Sequence, residues 1–545
     1  MNSAPPASPD SADSLAWDVV IVGGALSGAA TALLLLRRNP RLRVLIVERD
    51  TAFKRRVGES TVEVSAYFLG RVLDLTAHLQ EKHLVKQGLR FWFKNERVSA
   101  LDECSETGPG YNVRLPGFQI DRAVLDEEVL ARAVAAGAVL RRPAKVSKIT
   151  LAPGGLQTIE LEPPPNSHVE PVADRLAPSV LQARWVIDAS GFAAVLARRE
   201  GWLQSNRDHP TAAVWTRWSG VKNWDSRALA EKFPAWSRRT RALRHTATNH
   251  LVGLGWWAWM IPLKGGDTSV GLVFDQRLLD LPEGPHLGER LRALLYTHPA
   301  ARELMADAAW HGGDVRFRRN LAYSSTHYAG DGFALVGDAA AFLDPFYSPG
   351  MDWIAYIASA TAALVDGSVR GKPKAPRIAR HNLHFTRSYE RWFHAVYRDK
   401  YFYLGDHELM TLAFRLDLGL YYFGVVSRPF KYGDSALELP SFANDASGPA
   451  ARFMGFYNRR LATIARARLA RGTWGASNSG RYVGFRSYEL TWTLPLRLLV
   501  AVASYTALEL REGWRTWFVP PKPLPSIKAR PSENTPARSP ASAAV

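Results

Sequence analysis

The stretch WDVVIVGGALSGAATALLLL, residues 17–36, constrains the fold more than any other part of this chain. Residues 18–22 read as a short buried strand, GGALSG (23–28) as a turn, and 27–36 as a helix. A second apolar run, LRVLIVE, ends at Glu48, twenty residues beyond Gly28. Strand, glycine turn, helix, strand and acid in this order describe a parallel βαβ unit that binds a dinucleotide. Gly23 permits the tight turn, and Gly28 lets helix and strand approach. The helix N-terminus offers free N–H groups and a positive dipole end to a pyrophosphate. Glu48 can accept hydrogen bonds from a pair of ribose hydroxyls. The middle glycine of the usual G-x-G-x-x-G is Ala25 here, so the backbone meets the phosphates past a methyl group. Alanine is small enough that binding is expected to survive.

The rest of the chain must supply the core around this unit. Its 545 residues are 47% hydrophobic, enough for one large core or two. Cys104 is the single cysteine, which excludes an internal disulfide framework and a cysteine-built metal site and fits a reducing cytoplasm; no metal centre is expected. The first residues have neither the basic nor the apolar region of a secretory signal. Read residue by residue, no segment reaches the roughly 18 apolar residues of a membrane span. The longest candidate, 498–510, is broken by Ser504, Thr506 and Glu509.

A formal charge of +18 calls for a partner or a reason. No nucleic-acid fold signature accompanies it, so nucleic acid is not expected. The segment RRLATIARARLAR (459–471) reads as a basic amphipathic helix. It is either a solvated face or a contact with a membrane surface or an acidic protein.

Patterning along the chain gives an α/β fold. A Rossmann-like, discontinuous nucleotide-binding domain covers 16–371. A mixed β-sheet facing the substrate is inserted at about 76–117 and 200–325. A helical C-terminal cap covers 372–518. Residues 1–15 and the basic, proline-rich 519–545 are expected to be disordered, and 163–179 to be a loop between two strands.

The stretch DGFALVGDAAAFLDPFYSPGMD (331–352) carries an apolar strand into Gly337-Asp338, small residues and a helix start. It resembles the second FAD fingerprint of flavoprotein monooxygenases, which implies that Asp338 contacts the ribityl chain. WVIDASG (185–191) resembles the strand that returns to the same sheet. Arg122, in QIDRAVLDEEVL, matches an arginine that reaches the flavin in such proteins; the alternative is an ordinary helix-face arginine. Three further stretches, VGESTV (57–62), LVKQGLRF (84–91) and WAWMIP (257–262), together with GGALSG, make residues 17–370 resemble the flavin-dependent halogenases. The C-terminal part resembles them only in general character.

That resemblance implies a chemistry. FAD is reduced by a separate flavin reductase and, with oxygen, turns halide into hypohalous acid. The acid crosses an internal passage to a lysine, which presents it to an electron-rich ring for chlorination or bromination. By the same resemblance Lys86 is the catalytic lysine, and Glu59 and Ser60 belong to the cofactor site. Trp257, Trp259 and Pro262 wall the passage, and Pro345, Ser348, Gly350 and Met351 form the loop that holds halide beside the flavin. From the residues alone Lys86 reads first as a surface charge beside a strand at 88–94, on which Arg90, Trp92 and Lys94 share one face.

Two departures matter. Where many halogenases have Ser-Thr-Gly in that loop, this chain has Ser348-Pro349-Gly350, and proline has no N–H. A lost charge-assisted hydrogen bond costs about 1.5–3 kcal/mol, although Gly350 and Met351 can still donate. Tyr347 stands where tryptophan-type enzymes have a glutamate, which points to a phenolic, pyrrolic or carrier-tethered aromatic instead of free tryptophan. A flavin-dependent monooxygenase or oxidase on the same scaffold is the alternative. A non-catalytic flavoprotein docked to a membrane or scaffold is a more distant one. The expected location is cytoplasmic, with peripheral contact to the inner face of the membrane through the basic C-terminal region.

Overall fold

The computed structural model describes residues 16–162, 180–486, 490 and 493–518. The two termini and the 163–179 segment discussed above lie outside the described residues.

The strand Trp17–Val22 runs parallel to its neighbours on both sides, Val44–Val47 and Val180–Asp188. The sheet continues through Phe333–Leu335 on one flank and Val139–Arg141 on the other. An antiparallel hairpin, Val146–Thr150 with Gln157–Leu161, extends it from Val180–Asp188. VVIV and VLIV are buried along their whole length because helices cover the sheet, as the continuous apolar runs require. The helix Leu26–Arg38 packs against Gly350–Val369 and Arg122–Ala135. From Trp17–Val22 the sheet builds outward in both directions, so its C-terminal end is the switch point where ligands bind in open α/β sheets.

A second sheet has the order Ala309–Trp310, Thr211–Ser219, Thr268–Asp275, Trp256–Pro262, Thr248–Gly253, Leu89–Phe93, Ser105–Pro109 and Tyr482–Phe485. Its last strand comes from the C-terminal region, which is therefore not purely helical. The period of two is strict in Trp256–Pro262. Trp257, Trp259 and Ile261 enter one core, and Trp256, Ala258 and Met260 the other. In Leu89–Phe93 the face expected to carry Arg90 and Trp92 is buried, not solvated. Arg90 pairs with Glu106 and donates to Pro109 O (2.7 Å), and Trp92 stacks on Trp224. Arg244 closes the same buried cluster on Glu106 (2.9 Å).

The basic segment 459–471 lies in the helix Gly448–Ala470, but most of its charge is used internally. Arg460 pairs with Glu509 (2.8 Å), Arg466 with Asp399 (3.3 Å), and Arg468 with Asp406 (2.9 Å), Glu408 and Glu512. These arginines hold the C-terminal helices together and are not a free basic face. The absence of a long apolar helix is also corrected. His407–Tyr432 and Thr493–Gly513 are both long and apolar enough to cross a membrane by length and composition. Average hydropathy tolerates the interruptions that a residue-by-residue reading counted as breaks. The first is mostly buried in the protein; the second is not.

Candidate active site

The glycine turn has the geometry a dinucleotide loop needs. Gly23 adopts φ +105°, where a Cβ would lie 2.5 Å from Ala189 O. A Cβ on Gly28 would lie 1.9 Å from Gly23 O, so only glycine lets the helix start so close to the strand. Ala25 precedes the helix and offers no side-chain cap. Glu48 is buried at the end of the second strand and accepts the N–H groups of Gly24 (2.7 Å) and Asp50 (2.9 Å). The carboxylate thus fixes the loop's shape.

Arg122 opens the helix Arg122–Ala135 and is buried, not displayed on its surface. It binds Asp126 (3.0 Å), whose carboxylate also accepts the N–H of Leu26 at the start of the glycine helix (3.3 Å). Asp338 sits on the turn Gly337–Ala339. Burial pushes its carboxyl up to about 6, against the pull of Arg122, Arg318 and Arg56. The three arginines thus favour the charged form of Asp338.

Glu59 and Ser60, expected at the cofactor, have their side chains engaged elsewhere. Glu59 is buried against Arg217 (2.7 Å), which also pairs with Asp314 (3.0 Å), so it ties the GES element to the inserted sheet. Ser60 Oγ accepts a hydrogen bond from Lys86 Nζ (2.8 Å).

Lys86 ends the short strand Leu84–Lys86, antiparallel to Gly117–Gln119. The facing residue is Gly117, where a Cβ would lie 2.7 Å from Thr61 O. This close approach brings Thr61 O within 2.7 Å of the amine, as its second acceptor. Lys86 is only 2% exposed, and burial lowers its pKa to about 8, with Glu63 and Asp352 pulling it back up. Two of its three donors are spent on neutral oxygens, leaving one. The residue lines a cavity that is partly open to solvent, together with Asp338, Phe342, Tyr347, Pro349 and Gly350.

The loop between these groups is strained. Tyr347 (φ +69°) and Ser348 (φ +60°) are consecutive non-glycine residues in the left-handed region, which costs about 1–3 kcal/mol each. Ser348 N–H reaches back to Pro345 O (2.9 Å), and Tyr347 OH donates to Asp417 (3.1 Å). Asp417 in turn takes an ion pair from buried Lys400 (2.6 Å) and a hydrogen bond from Tyr457. This network holds the strained turn. Pro349 then leads into the helix Gly350–Val369, whose first N–H groups, those of Gly350 and Met351, have no intrahelical acceptor. A Cβ on Gly350 would meet nothing within 4 Å, so the helix opens onto free space. Of the four loop residues singled out from sequence, Gly350 lines the cavity, and Pro345, Ser348 and Met351 are not among its lining residues.

Trp257, Trp259 and Pro262 are not among the residues that line this cavity. Strand alternation turns Trp257 and Trp259 into the core behind the loop. Trp257 packs edge-on to Phe346 (5.1 Å) and donates to Tyr401 OH (2.9 Å); Trp259 donates to Ser269 (3.1 Å).

Four carboxylates that line the cavity, Glu63, Asp344, Asp352 and Asp417, were missed, and Glu63 and Asp352 act on Lys86. Asp352, in the first turn of Gly350–Val369, accepts Ser65 N–H (2.8 Å) and Tyr421 OH (2.8 Å), and burial pushes it up to about 7. Glu63 accepts from Tyr422 OH (2.5 Å) and is likewise raised by burial. Glu63 and Leu115 also line an adjoining, more open groove with Tyr67, Phe430 and Gly433, so they stand at the doorway between the two spaces. Asp352 ends the quoted 331–352 stretch and Glu63 directly follows VGESTV, but their tyrosine partners come from a distant helix that no motif announces.

The chain is similar to known proteins over most of its length. The tryptophan halogenase family matches residues 18–112 and 116–397. The flavin-dependent halogenase chlA of Dictyostelium discoideum is 30% identical over 367 residues, 62% of this chain and 58% of the relative. The chain thus spans less than two thirds of that relative's length. The flavin-dependent halogenase armH3 of Armillaria mellea is 24% identical over 399 residues, 70% of this chain and 74% of the relative. Sulochrin halogenase gedL of Aspergillus terreus is 25% identical over 403 residues, 69% and 68% of the two chains. Among solved structures, halogenase PltM superposes with a TM-score of 0.68 at 20% identity, covering 90% of this chain and 96% of that one. CmlS, a flavin-dependent halogenase, gives 0.57 at 19%, covering 91% and 78%. At these identities the structures establish the fold alone.

Proposed function

This chain belongs to the tryptophan halogenase family of flavin-dependent enzymes, and from that premise we propose that it halogenates an activated, phenol-like aromatic with Lys86 as the catalytic residue. One observation carries the reading: the buried amine of Lys86 lines the same cavity as Asp338 and Gly350. The residues present fit FAD. The Gly23–Gly28 turn and the helix start suit the pyrophosphate, Glu48 the ribose, and Arg122 and Asp338 the flavin end, while Gly350 leaves open space where the ring would lie. FAD, reduced by a partner reductase, supplies hypohalous acid from oxygen and halide.

The chain's own groups do the rest. Lys86, aimed by Ser60 and Thr61, donates its remaining N–H to the oxygen of the acid and draws electrons from the oxygen–halogen bond. The ring carbon forms its bond to halogen as the oxygen–halogen bond breaks, and Lys86 protonates the departing hydroxide to water. Asp352, with Glu63 beside it, takes the proton lost by the ring carbon. A phenolic substrate fits a largely apolar cavity that Glu63 and Asp352 also line; PltM, of like fold, has been crystallised with phloroglucinol and FAD. The test is turnover with FAD, a flavin reductase, chloride or bromide and a panel of phenols and pyrroles, read by mass spectrometry. The expected product has halogen in place of hydrogen. Gain of oxygen independent of halide would refute the reading.

The pH profile tests the roles. Lys86 acts protonated, so activity declines as pH rises through about 8. Asp352 acts as carboxylate, so activity declines as pH falls through about 7. The two interact, so the limbs belong to the pair, and a narrow bell near neutrality is expected. Asp352→Asn should cut kcat about 100-fold or more and remove the acid limb. An acid limb that persists in this variant assigns the base elsewhere.

The proline in the loop gives a second test. Pro349 has φ −76°, which threonine adopts without strain. Pro349→Thr supplies the missing N–H and should lower the halide concentration for half-maximal rate about tenfold. An unchanged requirement means that the loop does not hold halide in this way.

A further inference from the structure

The stretch Thr493–Gly513, continued by the short helix Arg515–Phe518, presents an outer face unlike that of a water-facing helix. Its inner side is fixed to the protein. Leu494, Ala501, Tyr505 and Leu508 are buried, and Glu509 and Glu512 are held by Arg460 and Arg468. On the outer side Leu499 is 64% exposed, Leu510 73% and Phe518 83%, with Leu496, Val500, Trp514 and Trp517 all at least half exposed. Intervals of three and four place these residues on one stripe. The exposed positions between Val500 and Leu510 are Ala503, Thr506 and Ala507, so no charge interrupts that span. At about 1.5 Å per residue the stripe is roughly 33 Å long. Soluble monomers rarely leave a continuous apolar surface of this size uncovered.

We propose that this stripe docks the enzyme on an anionic lipid surface as a helix lying in the plane of the interface. Charge selects the partner. The protein carries +18, exposed Arg511 and Arg515 border the aromatic end of the stripe, and the sequence beyond Phe518 has Lys522, Lys528, Arg530 and Arg538 against Glu533 alone. A second copy of the chain would bring the same positive charge to the interface, whereas anionic headgroups neutralise it. The stripe ends in Trp514, Trp517 and Phe518, the residue types that settle at the boundary between headgroups and acyl chains. The ion pairs on the inner side bind the helix to the protein body, so it rests on the bilayer and does not cross it. The attachment is distinct from the basic segment 459–471, whose arginines are largely occupied internally.

The experiment is sedimentation of the purified full-length protein with vesicles of phosphatidylcholine alone or mixed with phosphatidylglycerol. Binding to the mixed vesicles is expected, at least about tenfold tighter than to the neutral ones and weakened by salt. The double variant Leu499→Glu/Leu510→Glu alters only exposed side chains. It should lose at least about tenfold in vesicle affinity while halogenating a water-soluble aromatic at the wild-type rate. Three results overturn the proposal: equal binding to neutral and anionic vesicles, full binding by the double variant, or a wild-type dimer that ignores vesicles and that the double variant splits. Should the double variant misfold, the comparison of vesicle types with the wild-type protein still decides.

Discussion

Lys86→Ala is expected to lower the yield of halogenated product about 100- to 10,000-fold, while FAD binding and oxygen consumption continue. The reason is the division of labour within the cavity. Lys86 is anchored by Ser60 and Thr61 and faces Glu63 and Asp352, whereas the residues suited to FAD are on the glycine turn and the 337–350 segment. Removing the amine leaves the oxidant intact and removes the group that presents it, so hypohalous acid should escape and be detectable by a trapping reagent. The same lysine carries a stability signature of opposite sign. A pKa lowered on folding means that the native state holds this proton against burial. Stability is therefore reduced below about pH 8 and recovers as pH rises toward the ordinary lysine range, while activity that needs the proton falls. Wild-type yield from Lys86→Ala would remove the lysine from the mechanism.

Gly28→Ala is expected to be the most damaging small substitution in the nucleotide loop. The new Cβ would lie 1.9 Å from Gly23 O and 3.1 Å from Ala189 Cβ. Gly23 O belongs to backbone at the end of a buried parallel strand, so it cannot swing aside as a flexible side chain could. Helix Leu26–Arg38 must then move off the sheet, with a loss of about 3 kcal/mol or more and a collapse of FAD affinity. Thermal unfolding and flavin fluorescence titration measure the two effects. Gly350→Ala is the matched control. Its Cβ meets nothing within 4 Å, so the fold should be unaffected and any change should appear in halide or flavin binding. Unaltered FAD binding by Gly28→Ala would mean that the turn is not the pyrophosphate site.

The parts of this protein legible in the sequence are those whose physics is local. The βαβ unit announces itself because strand, tight turn and helix approach each make demands within a few residues, and Gly23 and Gly28 answer them. The strand at 256–262 is equally legible, since alternation alone predicts that Trp257 and Trp259 share a face. What that face packs against was not legible, because Phe346, which meets Trp257 edge-on, arrives from a loop some 90 residues later. The GES element was found as a motif, but its contacts are long-range. Glu59 meets Arg217 and Ser60 meets Lys86, pairings that no local pattern reveals. Glu63 and Asp352 escaped notice for the same reason, since their tyrosine partners lie on the far C-terminal helix. The arginines of 459–471 show the reverse error. A basic run is obvious in sequence, whereas the acids that neutralise it, Asp406, Glu408, Glu509 and Glu512, are scattered and become neighbours only in the fold.

The central claim is that the flavin and the Lys86 amine open onto one internal space. A crystal structure of the FAD complex soaked in bromide, with the halide located by its anomalous signal, tests this most directly. The account predicts the flavin ring between Asp338 and Gly350, bromide at the N–H groups that begin the helix Gly350–Val369, and a continuous cavity from there to Lys86 Nζ. A flavin ring seated elsewhere, or one that seals the cavity off from Lys86, would contradict it.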